Sequence, residues 1–223
     1  MSRSLIELII FDCDGVLIDS ESIANQVCVE HLATIGMSMT MRDFAARYAG
    51  SKIRDIWRRV GEDIGRPVPD ALKLAIDEEI HRRLAVELKA MDGVFEVLGA
   101  ISARRCVASS TGLVKLKKNL GQVGLLELFE PGIFSASQVA RGKPAPDVFL
   151  FAASQMGADP ACCLVIEDSL PGIAAARRAG MKAVGFAGGG HVLPDHAQRL
   201  SSAGAVAVAG SMRDVPPILE RFL

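Results

Sequence analysis

Short apolar runs rich in isoleucine and valine recur along the chain. The six runs are IELIIFD near residue 6, RCVASS near 105, GIFSAS near 132, ACCLVIED near 161, KAVGFAG near 182 and AVAVAG near 205. Because these runs are continuous rather than alternating, they are typical of strands covered on both faces, as in a parallel sheet. Between the later runs, LVKLKKNLGQVGLLELF, DVFLFAASQMG and SLPGIAAARRAG have apolar residues at helical spacing. The alternation of strands and helices predicts a doubly wound α/β domain.

The interval from residue 16 to 91 interrupts this alternation. It contains no convincing strand but four helix-like segments, ESIANQVCVEHLATIG, MRDFAARYAG, IRDIWRRVGEDIG and PDALKLAIDEEIHRRLAVELKA. Loops longer than about 12–15 residues are uncommon inside a compact domain, so the interval should carry its own structure. The pattern therefore predicts an α/β core formed by residues 1–15 and 92–223, with an inserted α-helical cap formed by residues 16–91.

The composition narrows the class of partner. The 25 basic and 26 acidic side chains nearly cancel, which gives no long-range field to attract a nucleic-acid backbone or an anionic membrane. The longest early apolar run, Leu5 to Phe11, is interrupted by Glu7 and is too short to span a bilayer. The five cysteines are odd in number and lack metal-type spacing, which favours a reducing compartment. We expect a cytoplasmic protein, a monomer or weak homodimer, whose partner is a small molecule.

Four of the predicted strands end in chemically active residues. In an open parallel sheet, ligands bind beyond the carboxyl ends of the strands, so these residues should meet at one edge. Each type also has an ordinary structural use in turns and helix caps, but their joint occurrence in order is much less expected by chance. The strand ends carry Asp12 and Asp14, then Ser109, Ser110 and Thr111, then Lys143, and then Glu167, Asp168 and Ser169.

Phosphoryl transfer requires these residue types. A carboxylate such as Asp12 can attack phosphorus, but its approach to an anionic phosphate is repulsive unless a cation lies between them. Mg²⁺ prefers carboxylate oxygens, which Asp12, Asp168 and Glu167 could supply. Lys143 offers a fixed positive charge, and the Ser109 hydroxyl can donate to a phosphate oxygen. Asp14 is placed to protonate the leaving oxygen and then to activate water.

The segments DCDGVLIDSE, VASST, GKPAPD and VIEDSLPGIAAARRAG together resemble the haloacid dehalogenase superfamily, in the branch of β-phosphoglucomutase and sugar-phosphate phosphatases. The resemblance covers nearly the whole chain and implies a Rossmann-like core and a helical cap that closes over the substrate. It implies that Asp12 is the nucleophile and that Asp14 is the acid/base and binds Mg²⁺ through its backbone carbonyl. It also implies that Ser109, with Ser110 beside it, binds phosphate and that Lys143 is the catalytic lysine. Glu167 and Asp168 would serve the metal.

The cap favours hydrolysis of a small phosphorylated metabolite, a sugar phosphate or sugar-acid phosphate. In the phosphoglucomutase members, a cap histidine lies ten residues after the second aspartate and an arginine lies three residues after a cap glycine. This chain has Ala24 and Ile53 at those positions. The absence of both residues favours hydrolysis and leaves a phosphosugar mutase as the alternative. Lys52 and Arg54 lie nearby and are candidate contacts for a phosphate or carboxylate of the substrate. Members that cleave carbon–halogen bonds do not have the second aspartate, so Asp14 argues against dehalogenation.

Other classes fit less well. A receiver-type signalling module also collects aspartates and a lysine at a sheet edge, but it is much shorter and has no such cap. A non-catalytic phospho-ligand-binding protein would be expected to have lost at least one of the four motifs, and all are intact. A nicotinamide-binding domain is disfavoured because no G-x-G-x-x-G follows the first strand. The four histidines show no metal-type spacing and are interpreted as structural or surface residues.

Overall fold

The computed structural model describes residues 5–48, 53–190 and 193–222, and of residues 53 and 54 only the backbone. The chain divides into two compact units. One comprises Met1–Asp19, Lys89–Gly189 and Pro194–Leu223, and the other comprises Ser20–Leu88 and Gly190–Leu193. The divisions fall at 19/20 and 88/89, whereas the boundaries predicted from sequence were 15/16 and 91/92. The difference arises because Leu17, Ile18 and Asp19 still bond to the core: the Met91 amide donates to the Leu17 carbonyl and the Asp19 amide to the Lys89 carbonyl.

The first unit is built on a six-stranded sheet. Every strand pair in it is parallel, and the order is β3-β2-β1-β4-β5-β6. The strands are β1 Leu8–Phe11, β2 Arg104–Ser109, β3 Ile133–Ser135, β4 Cys163–Glu167, β5 Lys182–Phe186 and β6 Ala207–Ala209. The strands β1 and β4 are buried along their whole length, as their unbroken apolar sequence requires. This confirms the predicted doubly wound parallel sheet, and all six predicted strands are present.

Helices connect the strands and cover the sheet. Side chains of β1, β2 and β4 share one apolar cluster with those of the helices Asp147–Gln155 and Leu170–Arg178. The helices of this unit are α5 Val94–Ala100, α6 Leu113–Gln122, α7 Leu126–Phe129, α8 Asp147–Gln155, α9 Leu170–Arg178, α10 His196–Ala203 and α11 Val215–Leu219. The helices α5 and α10 were not predicted from sequence; α5 is short, and α10 has one fully buried side chain, Leu200.

The second unit is helical throughout its described residues, apart from turns and short loops. Its helices are α1 Ser20–Ala33, α2 Met41–Tyr48, α3 Ile53–Asp63 and α4 Asp70–Glu87. They enclose a second apolar cluster that includes Val27, Leu32, Phe44 and Val60. Tyr48 belongs to this cluster, and its hydroxyl donates to Asp63 Oδ2 at 2.6 Å. Among the helices that the structure describes, none has the length and apolarity needed to cross a membrane.

Candidate active site

The parallel register brings Asp12 and Glu167 together, although they are far apart in sequence. Strands β1 and β4 are neighbours, with Phe11 opposite Ile166. The Asp12 amide continues this ladder by donating to the Ile166 carbonyl at 2.9 Å. The next residue on each strand is therefore an acid, and both side chains are buried. The two most interior strands thus end in carboxylates at the same edge of the sheet.

Lys143 bridges these two carboxylates. Its Nζ lies 2.6 Å from Asp12 Oδ1 and 2.7 Å from Glu167 Oε2, and its side chain is only 4% exposed. The lysine comes from the loop between β3 and α8, and Nζ also lies 4.9 Å from the ring centre of Phe149 on α8. Three segments of the chain therefore meet in one buried ion-pair network.

Ser169 and Gly172 hold Glu167 in place. The Ser169 amide and hydroxyl donate to Glu167 Oε1 at 3.0 and 2.6 Å, while the same hydroxyl caps α9 by accepting from the Gly172 amide at 3.1 Å. A Cβ on Gly172 would overlap the Glu167 carboxylate. The first turn of α9 therefore closes around this side chain, which explains the glycine in the segment EDSLPG.

The electrostatics of the network are dominated by burial. The pKa of Asp12 is raised well above its ordinary value, first by burial and then by the neighbouring charges of Glu167 and Asp168, against the opposing effect of Lys143. Burial alone would lower the pKa of Lys143, but Asp12 and Glu167 raise it above its ordinary value. The lysine is therefore protonated at neutral pH. One cation faces three acids, so the cluster carries an excess of negative charge when all are ionised.

The same cluster has the donors that a hard divalent cation requires. One oxygen from each of Asp12, Glu167 and Asp168 can be chosen so that all three lie within 4.8 Å of one another, and all three residues are buried. Carboxylate oxygens are the ligands that Mg²⁺ prefers, and the excess negative charge also favours a cation. Glu167 already accepts hydrogen bonds from Lys143 and Ser169. It therefore anchors the lysine as well as contributing to the acidic set.

Asp14 lies in a separate hydrogen-bond group beside this cluster. Its Oδ2 accepts from the Thr111 hydroxyl at 2.7 Å and, more weakly, from the Ser109 hydroxyl at 3.4 Å. The Thr111 amide donates to Ser109 Oγ at 3.0 Å, and the Thr111 carbonyl accepts from the Ser135 hydroxyl at 2.6 Å. The loop after β2 thus fixes the orientation of the Asp14 carboxylate.

The remaining predicted site residues have different outcomes. Ser109 is buried at the end of β2, whereas Ser110 is exposed. Lys52 lies outside the described residues, and Arg54 lies in α3 with its side chain outside them. Thr111 and Ser169 were noted at strand ends without a predicted role. The available signal was their position: Thr111 follows the end of β2, the strand beside β1, and Ser169 comes two residues after Glu167.

Comparison with known proteins gives a consistent picture. Residues 6–180 match the sequence model of a family described as haloacid dehalogenase-like hydrolase. The 6-phosphogluconate phosphatase of Escherichia coli strain K12 is 30% identical over 195 residues, which cover 87% of each chain.

Two solved structures superpose over almost the whole chain. A haloacid dehalogenase-like protein of unknown function from Agrobacterium tumefaciens strain C58 has a TM-score of 0.93 at 38% identity, covering 97% of this chain and 98% of its own. A hydrolase of the same family from Deinococcus radiodurans R1, solved with bound phosphate and sodium, has a TM-score of 0.87 at 31% identity. The superposition covers 98% of this chain and 96% of the Deinococcus chain.

Proposed function

The chain belongs to the haloacid dehalogenase-like hydrolases, and on that premise we propose that it is a Mg²⁺-dependent phosphatase that works through an aspartyl-phosphate at Asp12. The observation that carries the proposal is the buried network in which Lys143 bridges Asp12 and Glu167 at the carboxyl edge of the sheet. The similarity to a phosphatase, the 6-phosphogluconate phosphatase described above, also supports assignment as a phosphoric monoester hydrolase.

The proposed reaction has two displacements at phosphorus. Asp12 attacks the phosphate ester, an Asp–O–P bond forms, and the bond from phosphorus to the leaving oxygen breaks. Asp14 gives its proton to that leaving oxygen, which departs as an alcohol. Asp14 then takes a proton from water, whose oxygen attacks phosphorus and releases Asp12 and inorganic phosphate. Lys143 supplies positive charge to the attacking carboxylate and the phosphate oxygens, while Ser109 offers a hydroxyl to the phosphate.

The acids that would hold Mg²⁺ are Asp12, Glu167 and Asp168, together with the backbone carbonyl of Asp14 that the family resemblance implies. When bound, the ion would offset the repulsion between the Asp12 carboxylate and an anionic phosphate. The protein's own contribution is to keep the carboxylates close together and buried, and to hold Glu167 in place through the Ser169 hydroxyl.

We propose a sugar phosphate or sugar-acid phosphate as the substrate. The similarity to a 6-phosphogluconate phosphatase supports this class, and Lys52 and Arg54 are the sequence-based candidates for contacts with its second polar group. Ala24 and Ile53 stand where the mutase members have a histidine and an arginine, which favours water as the phosphoryl acceptor. The free cysteines support a reducing, cytoplasmic compartment, and a monomer or weak homodimer is the proposed state.

The first experiment measures p-nitrophenyl phosphate hydrolysis with Mg²⁺ and with EDTA, and then phosphate release from a panel of phosphorylated sugars and sugar acids. Activity should require the divalent ion, and sugar or sugar-acid phosphates should have the highest kcat/KM. Activity that survives EDTA contradicts the metal requirement. Lys52→Ala and Arg54→Ala should raise KM for the best substrate more than they lower kcat.

The second experiment distinguishes hydrolysis from a mutase reaction. The protein is incubated with a hexose 1-phosphate and the matching 1,6-bisphosphate, and the products are followed by ³¹P NMR. Free phosphate is the expected product. Conversion to the 6-phosphate without phosphate release would replace the proposed hydrolase with a phosphosugar mutase.

A further inference from the structure

His196, the first residue of α10, contacts the segment that carries Glu167 and Asp168. Its Nε2 lies 2.6 Å from the backbone carbonyl oxygen of Asp168. A carbonyl oxygen can only accept a hydrogen bond, so Nε2 must carry a hydrogen and donate it. The sequence had suggested only a structural or surface role for this histidine, because the four histidines show no metal-type spacing.

This contact fixes one end of the peptide unit between Asp168 and Ser169. The other end of the same unit is the Ser169 amide, which donates to Glu167 Oε1 at 3.0 Å. The C=O and N–H groups of a peptide lie in one plane, so holding both groups fixes the orientation of that plane. This plane contains the Asp168 Cα, so fixing the plane holds the backbone atom that carries the Asp168 side chain. His196 and Glu167 therefore clamp the backbone of Asp168 from opposite sides.

The helix α10 is well anchored for this role. Leu200 is fully buried, and it packs over Gly185 of β5, where an added Cβ would lie 3.0 Å from Leu200 Cβ. Residues four apart share a helix face, so Leu200 anchors the face that carries His196. In the sheet, Gly185 pairs directly with Glu167. The helix thus docks at the level of the acidic cluster because β5 has no side chain at that point.

We propose that His196 is a positioning residue for the metal-binding acids: its Nε2–H holds the Asp168 backbone in the orientation in which Asp12, Glu167 and Asp168 can share a divalent cation. The proposal rests on the proposed function in taking Mg²⁺ as the ion. Groups that orient metal ligands from outside typically change metal affinity about 10- to 100-fold when they are removed. The role requires only a donor at the position of Nε2, with no charge change on the imidazole.

The test compares two polar replacements that differ in reach. The amide nitrogen of His196→Gln extends about as far as Nε2, whereas that of His196→Asn extends only about as far as Nδ1. Binding of Mn²⁺, as a spectroscopic substitute for Mg²⁺, is measured by electron paramagnetic resonance without substrate. We expect His196→Asn to raise the Kd for Mn²⁺ at least about tenfold, while His196→Gln keeps it close to that of the wild type. Melting curves in EDTA report any loss of fold separately.

A matched control is His81→Asn in α4. The Nδ1 of His81 also lies close to a backbone carbonyl, that of Asp77 at 2.9 Å, but this contact is exposed and lies within one helix. This variant should leave the Kd for Mn²⁺ unchanged. Equal Kd values for the glutamine and asparagine variants of His196, whether both shifted or both unshifted, overturn the proposal. If the wild type itself does not bind Mn²⁺, the proposed metal dependence fails as well, so the two failures are distinguishable.

Discussion

The core and the cap use charge in opposite ways. In the helical unit most ion pairs join residues three or four apart on one helix, as in Arg58 with Glu62, Lys73 with Asp70, and Arg82 with Glu79. The pairs Arg47–Asp63 and Arg83–Glu30 join different helices, but each still includes an exposed side chain. In the core, Lys143 meets Asp12 across 131 residues of sequence and Glu167 across 24, and all three side chains are at most 9% exposed. The difference separates surface charges, which water solvates, from a buried network, to which we assign the proposed chemistry.

Burying charges is costly, so a buried network needs a reason. Exposed pairs on a helix surface contribute little because water and salt screen them. A buried pair must offset the loss of hydration of both ions, and it often gives no net stability. The core nevertheless buries this network, and a third acid, Asp168, lies in the same site. The following predictions test this contrast, from the largest expected effect to the smallest.

Asp12→Asn should abolish turnover and at the same time stabilise the metal-free protein. It removes the proposed nucleophile, and we expect kcat to fall by about 10⁴-fold or more. It also removes one of the three buried like charges, and about 1 kcal/mol of relief would raise Tm by ~2–4 °C. Melting curves in EDTA and assays with Mg²⁺ check both parts. A fall in Tm, or substantial remaining activity, would contradict the account.

The stabilities of the wild type and of Asp12→Asn should depend differently on pH. The folded-state pKa of Asp12 is raised, so the folded protein binds this proton more tightly than the unfolded chain. The contribution of Asp12 to stability is therefore present at low pH and is lost as the pH rises above the unfolded value of about 4. In EDTA, the wild type should lose stability over this rise relative to Asp12→Asn. Parallel pH–stability curves would contradict the assignment.

Lys143→Met should damage both activity and stability, whereas Arg82→Met should damage neither. The methionine leaves Asp12 and Glu167 buried without their common cation, and breaking a buried pair in this way costs about 3–5 kcal/mol. The same replacement at Arg82, whose side chain is 65% exposed, removes only a surface pair. Urea unfolding and kcat measurements on both variants provide the test. Similar losses in the two would remove the contrast between core and cap.

Gly172→Ala should be destabilising, while Gly99→Ala should be stabilising. The added methyl at position 172 overlaps the Glu167 carboxylate, and such overpacking costs about 1–3 kcal/mol. Gly99 lies in α5 with no atom within 4 Å of an added Cβ, so alanine there gains about 0.5–1 kcal/mol of helix stability. Activity and Mn²⁺ affinity should fall only in the first variant. Wild-type values in Gly172→Ala would show that Glu167 is not held as described.

Thr111→Val should lower kcat about tenfold, and Thr111→Ser should restore it. The hydroxyl donates to Asp14 Oδ2 at 2.7 Å, and such a hydrogen bond contributes about 0.5–1.5 kcal/mol, whose upper end corresponds to about tenfold in rate. The valine keeps the shape of the side chain but removes the donor. A natural ester with a poor leaving group is the appropriate substrate, because it needs the proton of Asp14. Equal rates for the valine and serine variants would show that the hydroxyl does not position Asp14.

The sequence predicted the parts of this molecule whose signals are local. Continuous apolar runs gave the six parallel strands, and helical periodicity gave the cap helices, because burial imposes a period on each element. The acids at the ends of β1 and β4 could be predicted to meet because parallel strands share a carboxyl edge. The family resemblance is confirmed by the match over residues 6–180.

The features that were missed depend on contacts between distant segments. The helix α10 was not predicted because a single buried leucine gives no periodicity. The bond from His196 to Asp168 spans 28 residues and ends on a backbone carbonyl, which leaves no trace in residue type. Ser110 is exposed because it lies just beyond β2, whose last four residues are all buried, so exposure begins where the strand ends.

The most direct test of the central claim is to locate the phosphorylated residue. The Asp14→Asn variant is mixed with p-nitrophenyl phosphate, whose leaving group needs no protonation, and is quenched with sodium borohydride, which reduces an aspartyl-phosphate to homoserine. Peptide mass spectrometry then locates the modified residue. The account predicts homoserine at position 12, and none in a reaction with Asp12→Asn. Homoserine at another aspartate, or its absence while p-nitrophenol is released, would contradict Asp12 as the nucleophile.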